Sequence, residues 1–234
     1  MIIKEQTIPV KDFNIENALS IEGHNDLFKE AIFFDLEHYV YKKPVCVGVF
    51  GSGYYDEKEN TLKITQYMIE NKFELKKILE WSKTYFLDLI KKKNKKYIIT
   101  FSGNNDFTVI NYLYNKYNIN FKIEDYLKDV DLQKEYEKAM NTSIGLKNLE
   151  CKFDIKRESE VISGSNLAKT FSKIMKDTEY FNRMPEEKKE KILLYNMQDV
   201  VSLFYIYVNW NKYIIPNEKN LNDEKKDSLN ENCN

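Results

Sequence analysis

The hydrophobic period changes twice between residues 31 and 101, and this constrains the fold more than any other feature of the chain. AIFFDLE at 31–37 is apolar and aromatic, and KPVCVGVFG at 43–51 follows it after a short link. Pro44 stands at the start of the second run, where a missing N–H donor is tolerated. TLKITQYMI at 61–69 alternates. All three runs read as strands. The links are short, and Gly51–Ser52–Gly53 reads as a break, which suits the turns of an antiparallel meander. From 74 to 92 the period lengthens: Leu75, Ile78, Leu79, Ser82, Phe86, Leu89 and Ile90 follow the i, i+3, i+4, i+7 spacing of an amphipathic helix. KKYIITF at 95–101 then reads as a buried strand. DFTVINYLYNKY at 106–117 reads as a second helix, apolar at Phe107, Ile110, Leu113 and Tyr114. Three strands, helix, strand, helix predicts an α/β domain: a mixed central sheet with an antiparallel meander, flanked by helices.

The rest of the chain is less periodic. Residues 123–172 read as a helical insert before the last core helix, broken near Thr142–Gly145, and INFKI at 119–123 is a poor strand. Pro185–Glu186–Glu187 reads as a helix first turn, with Pro early and acids at the positive end of the dipole. That helix continues through Ile192, Leu193, Val200, Leu203, Phe204 and Tyr207 to about Lys212. Residues 1–25 show no clear period and read as a lead-in segment. Residues 26–215 read as one domain, and the polar stretch 216–234 as a disordered tail.

Composition removes several function classes. Thirty-six Lys and Arg against thirty-seven Asp and Glu leave a formal charge of -1, so the chain lacks the basic excess of a generic polyanion binder. Nucleic acid remains a partner only if the basic residues are segregated on one face. KKKNKK at 91–96 reads as a solvated loop. Arg157, in a chain dominated by Lys, is the better candidate for a phosphate contact or a structural fork. Cys46, Cys151 and Cys233 lie far apart and the only histidines are His24 and His38, so neither a zinc site nor a disulfide framework is supported. No apolar run reaches the roughly 18 residues of a membrane span, and the first residues are too polar for a signal peptide. The expectation is a protein of the reducing cytoplasm with no membrane association.

Acids in apolar settings carry the chemistry. Asp35 and Glu37 stand at i, i+2 in the first strand run, so alternation puts both on one face. Two such carboxylates repel by about 3 kcal/mol at about 5 Å and an effective dielectric of about 20. A fold has little reason to place them so unless a cation or several donors lie between them, although a solvated face or a Lys partner also satisfies the pattern. Asp106 follows a buried strand at the start of a helix, which taken alone suits a helix cap best, and is also an active-site position beyond a strand end. Tyr195 and Asp199 stand at i, i+4 and share a helix face among apolar neighbours, where a half-exposed acid is also ordinary. Each signal is weak alone, but their order along the chain agrees.

FFDLE, SGNNDF and YNMQDV resemble the three motifs of the DEDD superfamily of 3′–5′ exonucleases, and the Tyr-x-x-x-Asp form of the third points to the DEDDy branch. VDLQKEY (130–136), GLKNLECKFDIKR (145–157) and the Ser163–Gly164 turn are similar to segments of the YprB-type ribonuclease-H-like domain. The resemblance covers roughly residues 31–212. It implies a ribonuclease-H-like core and a metal-dependent exonuclease acting on DNA or RNA, most readily at a single-stranded 3′ end. It also implies two divalent ions, Mg²⁺ or Mn²⁺, held by Asp35, Glu37, Asp106 and Asp199, with Tyr195 orienting the attacking water. Hard oxygen ligands suit such ions, and bound metal offsets the carboxylate repulsion. The second motif departs from the family: the Phe–Asp order is inverted in Asn105–Asp106–Phe107. The alternative is therefore a degenerate domain that binds nucleic acid or a protein partner. His38 directly follows Glu37, points to the other strand face and reads as packing or surface.

Overall fold

The computed structural model describes residues 1–158 and 164–214. The tail expected at 216–234, and Ser163 of the small-residue turn, lie outside the described residues. Six strands form one sheet in the order β1-β4-β3-β2-β5-β6. The meander is β2 (Ala31–Tyr41), β3 (Lys43–Asp56) and β4 (Thr61–Met68), paired antiparallel as the short links predict. β5 (Tyr97–Thr100) and β6 (Lys128–Asp131) extend the other side of β2 in parallel. Helices α1 (Leu75–Lys93) and α2 (Asn104–Lys116) fall where the period lengthens.

β2 shows how the strand pattern places the layers. Ile32, Phe34 and Leu36 join Ile78, Leu79 and Phe86 of α1 and Ile110 and Leu113 of α2 in one core. Ala31 and Phe33 join a second core with Val200, Leu203 and Phe204 of the long helix α6 (Glu186–Val208). Phe33 and Phe204 meet edge to face at 5.4 Å between ring centres. Along β2 the side of Ala31 and Phe33 continues into Asp35 and Glu37, so these acids emerge from under α6 at the C-terminal end of the parallel strands.

Four readings change. Residues 1–25 include a strand, β1 (Ile2–Pro9), antiparallel to β4 from Ile2 opposite Met68 to Pro9 opposite Thr61. Its inward positions are Ile2, Lys4, Gln6 and Ile8, two of them polar, so an edge strand escapes a hydrophobic-period search. Gly51–Ser52–Gly53 is not a break, because β3 runs through it. A Cβ on Gly51 would lie 2.0 Å from Asn196 Oδ1, and one on Gly53 would lie 2.4 Å from Ile64. Gly51 lets α6 lie close on the sheet, and Gly53 makes room for Ile64 of the neighbouring strand. The insert at 123–172 is not wholly helical: after a 3-10 turn at Ile123–Asp125 it forms β6, whose sequence KDVD holds one apolar residue. Helices α3 (Leu132–Met140), α4 (Leu146–Lys152) and α5 (Gly164–Lys176) follow, with the gap at 141–145 where the break was expected. The long helix ends at Val208, and a short helix α7 (Trp210–Tyr213) completes the stretch to Lys212.

Candidate active site

Asp35 and Glu37 come from β2 and Asp199 from α6, and one carboxylate oxygen from each lies within 4.8 Å of the others. The helix delivers Asp199 because Asn196, three residues earlier on the same face, is locked to the sheet. Its Nδ2 donates to Asp35 Oδ2 at 2.8 Å and to the Asp35 carbonyl at 3.3 Å. Its Oδ1 accepts from Gln66 Nε2 at 2.8 Å, and the same amide donates to the Leu193 carbonyl. Gln66 and Asn196 are fully buried, so this relay from β4 through α6 to β2 fixes the Asp35 carboxylate. Sequence reasoning passed over both amides. The one signal was position: Asn196 shares the helix face of Asp199.

The electrostatics of the group are those of crowded acids. Burial raises the Asp35 carboxyl to about 6, against the opposing Asn196 bond and the Arg157 charge. Burial, then the charges of Asp35, Asp199 and Asp106, push Glu37 well above its ordinary range. Asp199 is raised by burial and by Asp35, with Arg157 working the other way. Three converging acids with raised proton affinity are an environment short of positive charge.

Arg157 supplies part of it. The guanidinium forks onto the buried Glu150 of α4, at 2.7 Å from Nε and 2.8 Å from Nη2, and Nη2 also bonds Asp199 Oδ1. It lies over the Tyr195 ring at 5.1 Å. The structural-fork reading of Arg157 is therefore the one realised in the free protein. Glu150 is the partner that sequence reasoning missed, since nothing in LKNLE marks that acid as buried. Tyr195 stands beside Asp199 on the cluster side of α6, its phenol held protonated by burial and by the Asp199 and Glu37 charges.

Asp106 stands apart. It lies in the first turn of α2, whose N-cap is Gly103, so it is not the cap. It is buried, and its Oδ1 is 3.7 Å from His38 Nε2. It is not among the three acids whose oxygens converge. Burial and the charges of Asp35, Asp131 and Asp199 raise its carboxyl. His38 is on the α2 side of β2, as alternation requires, and burial disfavours its charged form. Asp131, at the end of β6, holds the approach to α2: its Oδ1 accepts from the Ser102 amide at 2.9 Å and from the Gln133 amide of α3 at 3.0 Å. Ser102 takes a left-handed φ of 57° there.

A mixed sheet with acids at the ends of its parallel strands and a C-terminal helix carrying the last acid defines a ribonuclease-H-like domain. The RNase_H_2 family model, of the RNase H superfamily, matches residues 32–211, and the chain belongs to that family. Searches of curated proteins and of solved structures gave no match. Membership suggests nuclease-type activity on nucleic acid, and the cluster of Asp35, Glu37 and Asp199 can hold a metal ion. Among the described residues, no helix is long and apolar enough to cross a membrane.

Proposed function

We propose that the protein is a cytoplasmic, metal-dependent 3′–5′ exonuclease of the DEDDy, YprB-like kind, acting on single-stranded 3′ ends of DNA or RNA. The observation that carries this reading is the convergence of Asp35, Glu37 and Asp199 within 4.8 Å, with Tyr195 one turn from Asp199. The donor set fits hard divalent cations: it is all carboxylate oxygen, and its acids repel one another without a cation. Asp35, Glu37 and Asp199 would hold the ions, Mg²⁺ or Mn²⁺, with Asp106 as the fourth carboxylate of a two-ion set. Bound there, such ions lower the pKa of a water and stabilise charge on the scissile phosphate. Asn196 keeps Asp35 oriented, and Tyr195, protonated, can orient the attacking water through its hydroxyl.

Incubation with 5′-labelled single-stranded DNA and RNA in Mn²⁺, Mg²⁺ or EDTA tests this. The expected result is a metal-dependent ladder shortening from the 3′ end, lost in Asp35→Ala and Asp199→Ala while circular dichroism is unchanged. Intact oligonucleotides in every lane, or variants as active as the parent, refute it. A degenerate, binding-only domain is the second reading, favoured by Asp106 lying beside His38 outside the three-acid group. That reading predicts no Mn²⁺-dependent thermal shift.

A further inference from the structure

Beside Asp199 opens a cleft of about 360 Å³, lined by Gly145, Leu146, Lys147, Asn148, Arg157 and Tyr195. Among the described residues its one carboxylate is Asp199, and it carries two cations that converge on one ring. Lys147 Nζ lies 5.3 Å from the centre of the Tyr195 ring and the Arg157 guanidinium 5.1 Å from it. Among the described residues Lys147 makes no ion pair. The Arg157 side chain is 9% exposed, yet among the described residues its Nη1 has no hydrogen-bond partner. A buried guanidinium donor without an acceptor is costly, and a tetrahedral oxyanion is the acceptor that its fork geometry suits. The cleft adjoins the acid cluster, which itself repels anions, so an anion recruited there would be held next to the reacting centre by these two side chains.

We infer that this cleft is the site for a backbone phosphate of the bound strand, held by Lys147 and Arg157. Arg157 occupies Asp199 in the free protein and turns toward that phosphate when a divalent cation takes the Asp199 carboxylate. The inference rests on the nucleic-acid half of the proposed function. It makes Arg157 a competitor of the metal as well as a substrate ligand, two roles that a merely structural fork would not combine.

Two measurements test it on the full chain. Fluorescence anisotropy of a labelled single-stranded DNA oligonucleotide, and of its RNA counterpart, in Ca²⁺ at several KCl concentrations reads phosphate contacts. Each lost contact lowers the slope of log K against log salt by about 0.7 for single strands. Lys147→Gln is expected to weaken binding severalfold and to flatten the slope by one such step. It lies on a half-exposed position and leaves the Glu150–Arg157–Asp199 bonds intact. Arg157→Gln is expected to flatten the slope likewise. In calorimetry without nucleic acid it is also expected to bind Mn²⁺ severalfold more tightly, because Asp199 is no longer occupied. Parental slopes in both variants, with cleavage by the parent protein intact, overturn the cleft and leave the nuclease reading standing. Flattened slopes with no cleavage by the parent support the cleft and end the exonuclease reading. A parent that neither binds nor cleaves overturns both. Weaker Mn²⁺ binding by Arg157→Gln overturns the competition.

Discussion

At Glu37, burial and the charges of Asp35, Asp199 and Asp106 all oppose ionisation. Glu37→Gln removes that repulsion while keeping the shape of the side chain. In EDTA the variant should unfold at a higher urea concentration than the parent, a gain of about 0.5–2 kcal/mol, and should cleave nothing. A less stable variant would mean that the carboxylate is held by bonds rather than crowded by charge. The pH dependence of the metal-free protein has a definite sign. Asp35 titrates near 6 in the folded state and near its ordinary value of 3.8 when unfolded. Between those values the folded protein binds the extra proton, so stability is full below about 4 and is lost as the pH rises through about 6. Urea melts in EDTA from pH 4.5 to 7.5 should show this fall. Saturating Mn²⁺ should remove it by replacing the proton, and Asp35→Asn should make it shallower, since Glu37, Asp106 and Asp199 contribute falls of the same sign.

At the level of elements, the seat of α6 on the meander decides whether the acids meet. Gly51→Ala would thrust a methyl into Asn196, and such overpacking costs about 1–3 kcal/mol. Cleavage should fall more than stability, because the displaced amide is the one that orients Asp35. Thermal melts and initial rates on one preparation separate the two effects. Asp131→Ala should cost about 1 kcal/mol as a lost cap and should also loosen the Ser102 turn that leads to Asp106. The parts legible in advance were those with strong periodicity: the meander, α1, α2 and α6. β6 was not, because KDVD is too short and too charged to carry a period, and its place follows only from pairing with β5. Asp35 and Glu37 were legible since two-residue alternation fixes their face, and Tyr195 and Asp199 since four-residue spacing fixes theirs. The hydrogen bonds of Asn196, Gln66 and Glu150 were not, because each joins residues whose nearness exists only in the folded sheet.

For the whole molecule, β1 closes the exposed side of the meander through eight register pairs with β4. A chain starting at Val10 would leave β4 as a free edge with Leu62, Ile64 and Met68 along it. Light scattering should find that truncated protein self-associating where the full chain does not. A truncated chain that stays monomeric would mean that the side chains on β4 guard the edge without help.

The bonds from Asn196 to Asp35 span 161 residues of sequence. During synthesis the strand bearing the first two acids is made early, while the helix bearing the last is made near the end. A ribosome that stalls before α6 therefore carries a sheet with half a cluster and no Asp199. The growing chain, esterified to transfer RNA and surrounded by ribosomal RNA, cannot assemble its acid cluster until α6 has left the exit tunnel and docked. Under the nuclease reading proposed above, the order of the chain delays completion of the site until synthesis is nearly finished.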